Sequence, residues 1–215
     1  MALRFERKYR IESVASHLIR QGIKLHPAGF RPIYSGRQIN NIYFDTPAFN
    51  TYRDNVLGLA ERKKFRVRWY GSDLLNIESA VLEIKIKQNE LGQKLSYPIG
   101  SFSFLDINSL IEKVNGFCPE NLGLLRPTLF NAYDREYWQT PNQKFRLTLD
   151  SNLKFAPLIP EPFVGRQVLK EQNINILELK YAEEMDSIVD MISQNIPYRR
   201  TKNSKYVSGI DMCYG

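Results

Sequence analysis

Arg62-Lys63-Lys64-Phe65-Arg66-Val67-Arg68-Trp69-Tyr70 is the stretch whose reading decides the fold. With the two-residue period of a strand, Arg62, Lys64, Arg66 and Arg68 share one face, and Lys63, Phe65, Val67 and Trp69 share the other. Same-face neighbours on a strand stand about 7 Å apart, so four cations in a row repel one another unless an anion lies along them. An ordinary solvated strand face mixes Lys, Glu, Thr and Ser. An unbroken row rich in Arg fits a surface that holds several phosphates, because the guanidinium fork matches phosphate geometry. Such a row also implies that deleting Arg66 or Arg68 relieves repulsion and leaves stability unchanged or slightly raised.

The same alternation recurs on both sides of this stretch. Arg4, Glu6, Lys8 and Arg10 alternate with Phe5, Arg7, Tyr9 and Ile11. Ile42 and Phe44 oppose Asn41, Tyr43 and Asp45; Leu82, Ile84 and Ile86 oppose Glu83, Lys85 and Lys87. Gln93 to Ile99 reads as a hairpin partner across a turn at Asn89 to Gly92, and Arg126 to Trp138 as a longer strand. Phe145, Leu147 and Leu149 oppose Lys144, Arg146, Thr148 and Asp150, and Leu177, Leu179 and Tyr181 oppose Glu178 and Lys180. Helices are expected from Ser13 as cap to about Ile23 with Gly22 as stop, from Asp106 as cap through Val114 with Gly116 at the end, and over the amphipathic stretch Glu184 to Asn195. There is no internal repeat, low-complexity tract or linker, so residues 1–215 read as one domain.

About eight strands, each with one apolar and one charged face, can form an open sheet with its charges in water. They can also close into an antiparallel barrel, with charges in a wet lumen and helices on the apolar outside. Acids recur among the bases: Glu6 beside Lys8, Glu83 beside Lys85 and Glu178 beside Lys180. A nucleic-acid face avoids carboxylates, whereas a site for phosphates plus a hard divalent cation needs both signs. The composition of the charged faces therefore favours an α+β fold built on a closed eight-stranded antiparallel β-barrel, and speaks against DNA or RNA.

The chain of 215 residues has a formal net charge of +7, which favours an acidic partner without naming it. Its two cysteines, Cys118 and Cys213, show no paired metal spacing and no disulfide framework. The start lacks the apolar run of a signal peptide, and no stretch approaches the roughly 20 apolar residues of a membrane helix, so a cytoplasmic protein without an integral membrane segment is expected.

Arg4-x-Glu6-x-Lys8-Tyr9 resembles the opening motif of the VTC (vacuolar transporter chaperone) polyphosphate polymerase domain, of the triphosphate tunnel metalloenzyme or CYTH-like superfamily. Further similarities follow in the family's order: Ile42-Tyr43-Phe44-Asp45-Thr46, the basic strand with Tyr70-Gly71, Leu82-Glu83-Ile84-Lys85 with Lys94-Leu95-Ser96, and Tyr133-Asp134-Arg135. Arg146-Leu147-Thr148-Leu149-Asp150, Leu177-Glu178-Leu179-Lys180-Tyr181 and Ser204-Lys205-Tyr206 complete the series, which covers residues 4 to about 206. The resemblance implies an eight-stranded antiparallel tunnel. It also implies transfer of the γ-phosphate of ATP to a growing polyphosphate chain, with manganese or magnesium as the divalent metal. Carried over by motif, Lys8, Arg66, Arg68, Lys85, Lys94, Arg135, Arg146 and Lys205 bind triphosphate or polyphosphate, and Glu178 is the principal metal ligand. Arg4 stands where triphosphate-hydrolysing relatives typically carry another Glu, which leans towards polymerase chemistry.

From the shared faces, Arg62, Lys64, Lys87 and Lys180 join the phosphate-binding set, and Glu6 and Glu83 join Glu178 as candidate metal carboxylates. Tyr43, on the polar side, can hydrogen-bond a phosphate or serve as a structural hydroxyl. Asp45 and Asp150 are expected to pair with Arg side chains of the charged faces, and His17 and His26 to be structural or surface residues. The competing functions are a triphosphatase acting on inorganic triphosphate or a nucleotide, and a polyphosphate- or nucleic-acid-binding module without turnover.

Overall fold

Apolar, aromatic and β-branched residues at every second position bury one face of each strand and so fix the sheet. The computed structural model describes residues 4–88, 91–118, 123–159 and 167–215. The strands are β1 (Arg4–Glu12), β2 (Arg31–Asp45), β3 (Glu61–Tyr70), β4 (Ile77–Gln88), β5 (Leu91–Phe102), β6 (Arg126–Gln139), β7 (Phe145–Pro157), the short β8 (Leu169–Lys170) and β9 (Ile174–Ala182). The helices are α1 (Ser16–Leu25), α2 (Asn50–Leu57), α3 (Ile107–Gly116), α4 (Val189–Ser193) and α5 (Lys205–Tyr214). The fold is an α+β arrangement dominated by antiparallel pairing.

The chain divides into two compact units, and β2, β6 and β7 contribute residues to each. The first comprises the described parts of 1–37, 133–153 and 170–203, with strand order β1-β9-β7-β6-β2. Its core gathers Tyr9, Ile11, Leu147, Leu149, Leu177 and Leu179 from the strands with Ile19 and Ile23 of α1 and Val189 of α4. The second comprises the described parts of 38–132, 154–169 and 204–215, with order β7-β6-β2-β3-β4-β5. Its core gathers Ile42, Phe44, Phe65, Val67, Trp69, Leu82 and Ile84 with Leu110 and Val114 of α3. The apolar faces anticipated from the alternation are the faces these cores bury.

The strand path has two ends, β1 and β5, and hydrogen bonds among the described residues do not join them into the closed barrel expected from the sequence. Pro98 lies within β5 and has no N–H to give, a feature of edge strands. Helix α1 begins at Ser16 with Ala15 at its N-cap, not at Ser13. Ser13 takes φ 58°, a left-handed conformation that serves a turn and not a cap. Gly22 does not stop the helix, which runs to Leu25. The stretch Glu184 to Asn195 is broken into a short 3-10 turn, Glu183–Met185, and α4. Asp106 caps α3 as anticipated, accepting from the Ser109 N–H. Asn89 and Glu90 of the anticipated turn lie outside the described residues, as does the side chain of Arg4. No described helix is long and apolar enough to cross a membrane.

Candidate functional site

In the second unit the register of β3 sets the chemistry. Arg62 stands opposite Lys87, Lys64 opposite Lys85 and Arg66 opposite Glu83 on β4, while Lys85 stands opposite Lys94 on β5. On the other side Asn41 and Tyr43 of β2 face Arg68 and Arg66. Directly opposed residues share a face, so these side chains all lie on the face away from the Phe65, Val67 and Trp69 core. The four cations of β3 are half-buried, unlike a solvated outer row.

Glu83 is the hub of this face. It is 6% exposed, and its carboxylate accepts from Arg66 Nε at 2.7 Å and Lys94 Nζ at 2.7 Å, with Arg68 Nη1 at 3.6 Å. Burial works to raise its pKa, but the charges of Arg66 and Arg68 and the Lys94 hydrogen bond override it, and the carboxyl is held well below the usual range. Arg68 also donates from Nε to Asn41 Oδ1 at 2.9 Å, and Asn41 in turn donates to Asn131 Oδ1 at 3.2 Å. The row is therefore a set of cations aligned on one buried carboxylate and one buried amide. This corrects the expectation that deleting Arg66 or Arg68 is free of stability cost. Asn41 went unnoticed as an aligning residue, although its parity with Tyr43 and Asp45 is visible in the sequence.

At the ends of the row, Arg62 Nη1 donates to the Leu59 carbonyl at 2.6 Å. Lys64 Nζ donates to Ser204 Oγ at 2.8 Å, and the same hydroxyl accepts from the Val207 N–H to cap α5. Lys205 is thus the first residue of that helix, beside the residue that Lys64 holds. Asp45 does not pair with a cation as expected. It is fully buried, accepts from the backbone N–H groups of Thr46, Thr51 and Tyr52, and accepts from the Tyr206 hydroxyl at 2.5 Å. Burial and the neighbouring Asp45 hold the Tyr206 phenol far above its usual range, so it remains a donor. Tyr43 is buried and its ring stacks on Tyr206 with centroids 4.9 Å apart.

The first unit carries a second polar face. Glu6 stands opposite Lys180 and Lys8 opposite Glu178 across β1 and β9, while Arg146 and Thr148 of β7 stand opposite Lys180 and Glu178. Glu178, 7% exposed, has Lys180 Nζ at 2.8 Å and Arg135 Nη2 at 3.6 Å. Lys8 Nζ lies 3.0 Å from Glu6 and donates to the Asn203 carbonyl at 3.1 Å. Arg135 is buried and forks onto Asp150, with Nε to Oδ1 at 2.5 Å and Nη2 to Oδ2 at 2.6 Å. Burial works to lower its pKa, but Asp150, Tyr133 and Glu178 more than offset this and hold the guanidinium charged. Asp150 thus pairs with an Arg as anticipated, and the planar fork of Arg135 serves first to fix that carboxylate.

The candidate metal carboxylates fall in both units: Glu6 and Glu178 on one face of adjoining strands in the first, Glu83 in the second. Among the described residues no group of three or more His, Cys, Asp or Glu is placed to hold a metal ion. A hard cation such as magnesium is commonly held by one or two carboxylates and completed by substrate phosphates. Glu178 and Glu6 fit that donor set, their nearest cations being Lys180 and Lys8, with Arg135 further from Glu178. Glu83, clamped by two Arg and a Lys, fits it less well and acts as an aligning anion.

His26 is structural, as anticipated: Nδ1 accepts from the Ala28 N–H at 3.1 Å, which leaves Nε2 to donate to the Ile192 carbonyl at 3.0 Å. Cys118 and Cys213 are unpaired, and burial pushes both thiols up to about 11, so neither is a thiolate at neutral pH.

The fold is shared with solved structures of low sequence identity. A candidate adenylate cyclase from Vibrio parahaemolyticus superposes with a TM-score of 0.56 at 10% identity, covering 96% of this chain and 98% of that one. A candidate adenylyl cyclase from Hippeastrum, described as having a dominant triphosphatase activity, superposes with a TM-score of 0.51 at 14% identity, covering 99% and 97%. A candidate adenylate cyclase from Bacillus halodurans gives a TM-score of 0.51 at 14% identity over 100% of both chains. No curated protein matches the chain in sequence. The VTC domain family, in contrast, matches residues 3–214, nearly the whole length, and on that match the chain belongs to the VTC domain family.

Proposed function

We propose that this chain is a metal-dependent triphosphate tunnel enzyme of the polymerase type, transferring the γ-phosphoryl group of ATP to the end of a polyphosphate chain. The observation that carries the reading is the face of β3, β4 and β5, where Arg66, Arg68 and Lys94 converge on Glu83 beside Lys64 and Lys85. Cations pre-aligned in this way neutralise phosphoryl oxygens without reorganising at the moment of reaction. Phosphoryl transfer asks little more of a protein than charge neutralisation and in-line positioning. A terminal phosphate oxygen of the acceptor attacks the γ-phosphorus, the bond to the β,γ-bridging oxygen breaks, and ADP leaves with that oxygen. In the second unit Arg66, Arg68, Lys85 and Lys94, with Lys205, are the candidate phosphate-binding cations; in the first unit the candidates are Lys8, Arg146 and Lys180. Glu178, with Glu6, would hold a divalent metal, which when bound supplies Lewis-acid neutralisation of the phosphoryl oxygens. Arg135 acts through Asp150 and Glu178, orienting both carboxylates.

A second reading, a triphosphatase, is favoured by the activity described for the Hippeastrum protein of the same fold. In that case water takes the place of the acceptor phosphate. Incubation with ATP and manganese, with products resolved on a polyphosphate gel, separates the readings. A ladder of polyphosphate is the expected result; free phosphate alone supports the triphosphatase, and unchanged ATP a binding module without turnover.

A further inference from the structure

A line of buried amides in the second unit ends on one of its candidate phosphate-binding cations. Asn41 of β2 and Asn131 of β6 are both 0% exposed, an unusual place for two amide side chains. Asn131 donates from Nδ2 to the Lys154 carbonyl of β7 at 3.1 Å. Its Oδ1 accepts from Asn41 Nδ2 at 3.2 Å, and Asn41 Oδ1 accepts from Arg68 Nε at 2.9 Å. The line thus crosses four neighbouring strands, β7, β6, β2 and β3.

The two ends fix the sense of the line. A main-chain carbonyl can only accept and a guanidinium N–H can only donate, whereas each amide between them does both. One pair of amide orientations therefore satisfies all three hydrogen bonds. Turning either amide over sets donor against donor or acceptor against acceptor at positions shielded from solvent, where an unmet polar group is costly. Asn131 thus selects the orientation of Asn41, and Asn41 selects the plane of Arg68. The other printed contact of Asn41 Nδ2, the Asn131 main-chain carbonyl at 3.5 Å, is longer and gives a weaker hold. In the first unit a cation is aligned differently: Asp150 fixes Arg135 with a carboxylate and offsets its charge at the same time. An amide aligns Arg68 without setting a further negative charge beside it, which suits a cation that is to receive an anion.

We infer that Asn131 is a positioning residue for phosphate binding, acting through Asn41 on Arg68. The inference rests on the reading that Arg68 meets phosphate, and adds the residue, two hydrogen bonds away, that sets the orientation of the guanidinium. A purely structural role predicts otherwise. Asn131 would then only tie β6 to β7 and β2, and its loss would affect binding to the same extent whether or not Arg68 is present.

The test is a double-mutant cycle on the full chain, read by calorimetric titration with inorganic tripolyphosphate, with urea denaturation of each variant to confirm folding. Arg68→Ala is expected to weaken tripolyphosphate by about 10-fold to 100-fold, the range of one lost charge-assisted contact. Asn131→Ala with Arg68 present is expected to weaken it by about 3-fold to 30-fold. In the Arg68→Ala background the same substitution should change the affinity by less than about 2-fold, because no guanidinium remains to be misplaced. Asn131→Ser, whose single oxygen cannot stand in for a carbonyl and an amine side by side, reports through the same cycle if Asn131→Ala folds poorly. Equal losses in the two backgrounds, or an unchanged affinity when Arg68 is present, would overturn the positioning role and leave the phosphate-binding reading in place. Arg68→Ala that binds as wild type does, or wild-type protein that does not bind tripolyphosphate, would overturn the phosphate-binding reading of Arg68, and the inference with it.

Discussion

At the scale of single residues, buried carboxylates govern the cations. Glu83 is surrounded by Arg66, Arg68 and Lys94; on the proposed function each of these both holds Glu83 and meets phosphate. Arg66→Ala is expected to weaken tripolyphosphate by about 1.5–3 kcal/mol, the worth of a charge-assisted contact. It should also lower stability by about 1–3 kcal/mol, because a buried acceptor loses a donor. Titration calorimetry and urea denaturation of the same variant check both, and an unchanged urea midpoint would return the row to plain mutual repulsion. The pH dependence has a definite sign. The folded-state pKa of Glu83 is depressed, so its stability contribution is fully present above the ordinary Glu value of about 4.3 and is lost as pH falls below it. Urea midpoints followed from neutral to acid pH should fall less steeply in Glu83→Gln than in wild type; parallel curves would show that Glu83 does not drive the acid sensitivity.

At the scale of elements, the strands and helices α1 and α3 were legible, and α2 and α5 were not. Alternation is a local signal, and β3, β4, β7 and β9 bury the very faces that Phe65, Leu82, Leu147 and Leu179 announce. Helix α2 is not among the helices expected from the sequence, because it has no side-chain cap of its own. Its first N–H groups are satisfied by Thr46 Oγ1 and by the Asp45 carboxylate, across Pro47 and outside any local capping pattern. Helix α5 has its own cap in Ser204, but the contacts that hold it are not local. Its stability comes from contacts far away in sequence: Tyr206 on Asp45, Tyr52 on Asp211 at 2.5 Å, and the Tyr214 hydroxyl on the Thr128 carbonyl at 2.6 Å. At Gly209 a Cβ would stand 2.4 Å from Leu129 Cδ2 and 2.6 Å from Phe155 Cδ1, so only glycine lets α5 approach. Gly209→Ala should therefore cost about 1–3 kcal/mol by overpacking, and Tyr206→Phe about 1–3 kcal/mol by removing a donor from buried Asp45. Chemical denaturation measures both; wild-type stability in Gly209→Ala would mean that α5 is not packed as described. The charged faces were legible as sets, but their pairings were not, since register decides which acid meets which base. Asp45 and Asp150 have the same parity on their strands' polar faces, yet one caps a helix and the other fixes Arg135.

At the scale of the whole molecule, a net charge of +7 and polar faces rich in Arg and Lys in both units favour an acidic partner. Tripolyphosphate affinity should fall steadily as salt is raised towards about 1 M, where the screening length shrinks to roughly 3 Å; affinity independent of salt would argue against charge as the main attraction. Membership of the VTC domain family and the shared fold leave the use of the carboxylates to experiment. Glu178 decides the matter, since it is either a counter-charge for Lys180 and Arg135 or the anchor of a divalent metal. Glu178→Gln keeps the shape and removes the charge. The measurement is turnover of ATP together with tripolyphosphate affinity for this variant across a manganese titration. The account predicts that tripolyphosphate still binds while metal-dependent turnover falls steeply, because the transition state loses charge stabilisation. Turnover near that of wild type at low manganese, with triphosphate bound as well or better, would contradict it.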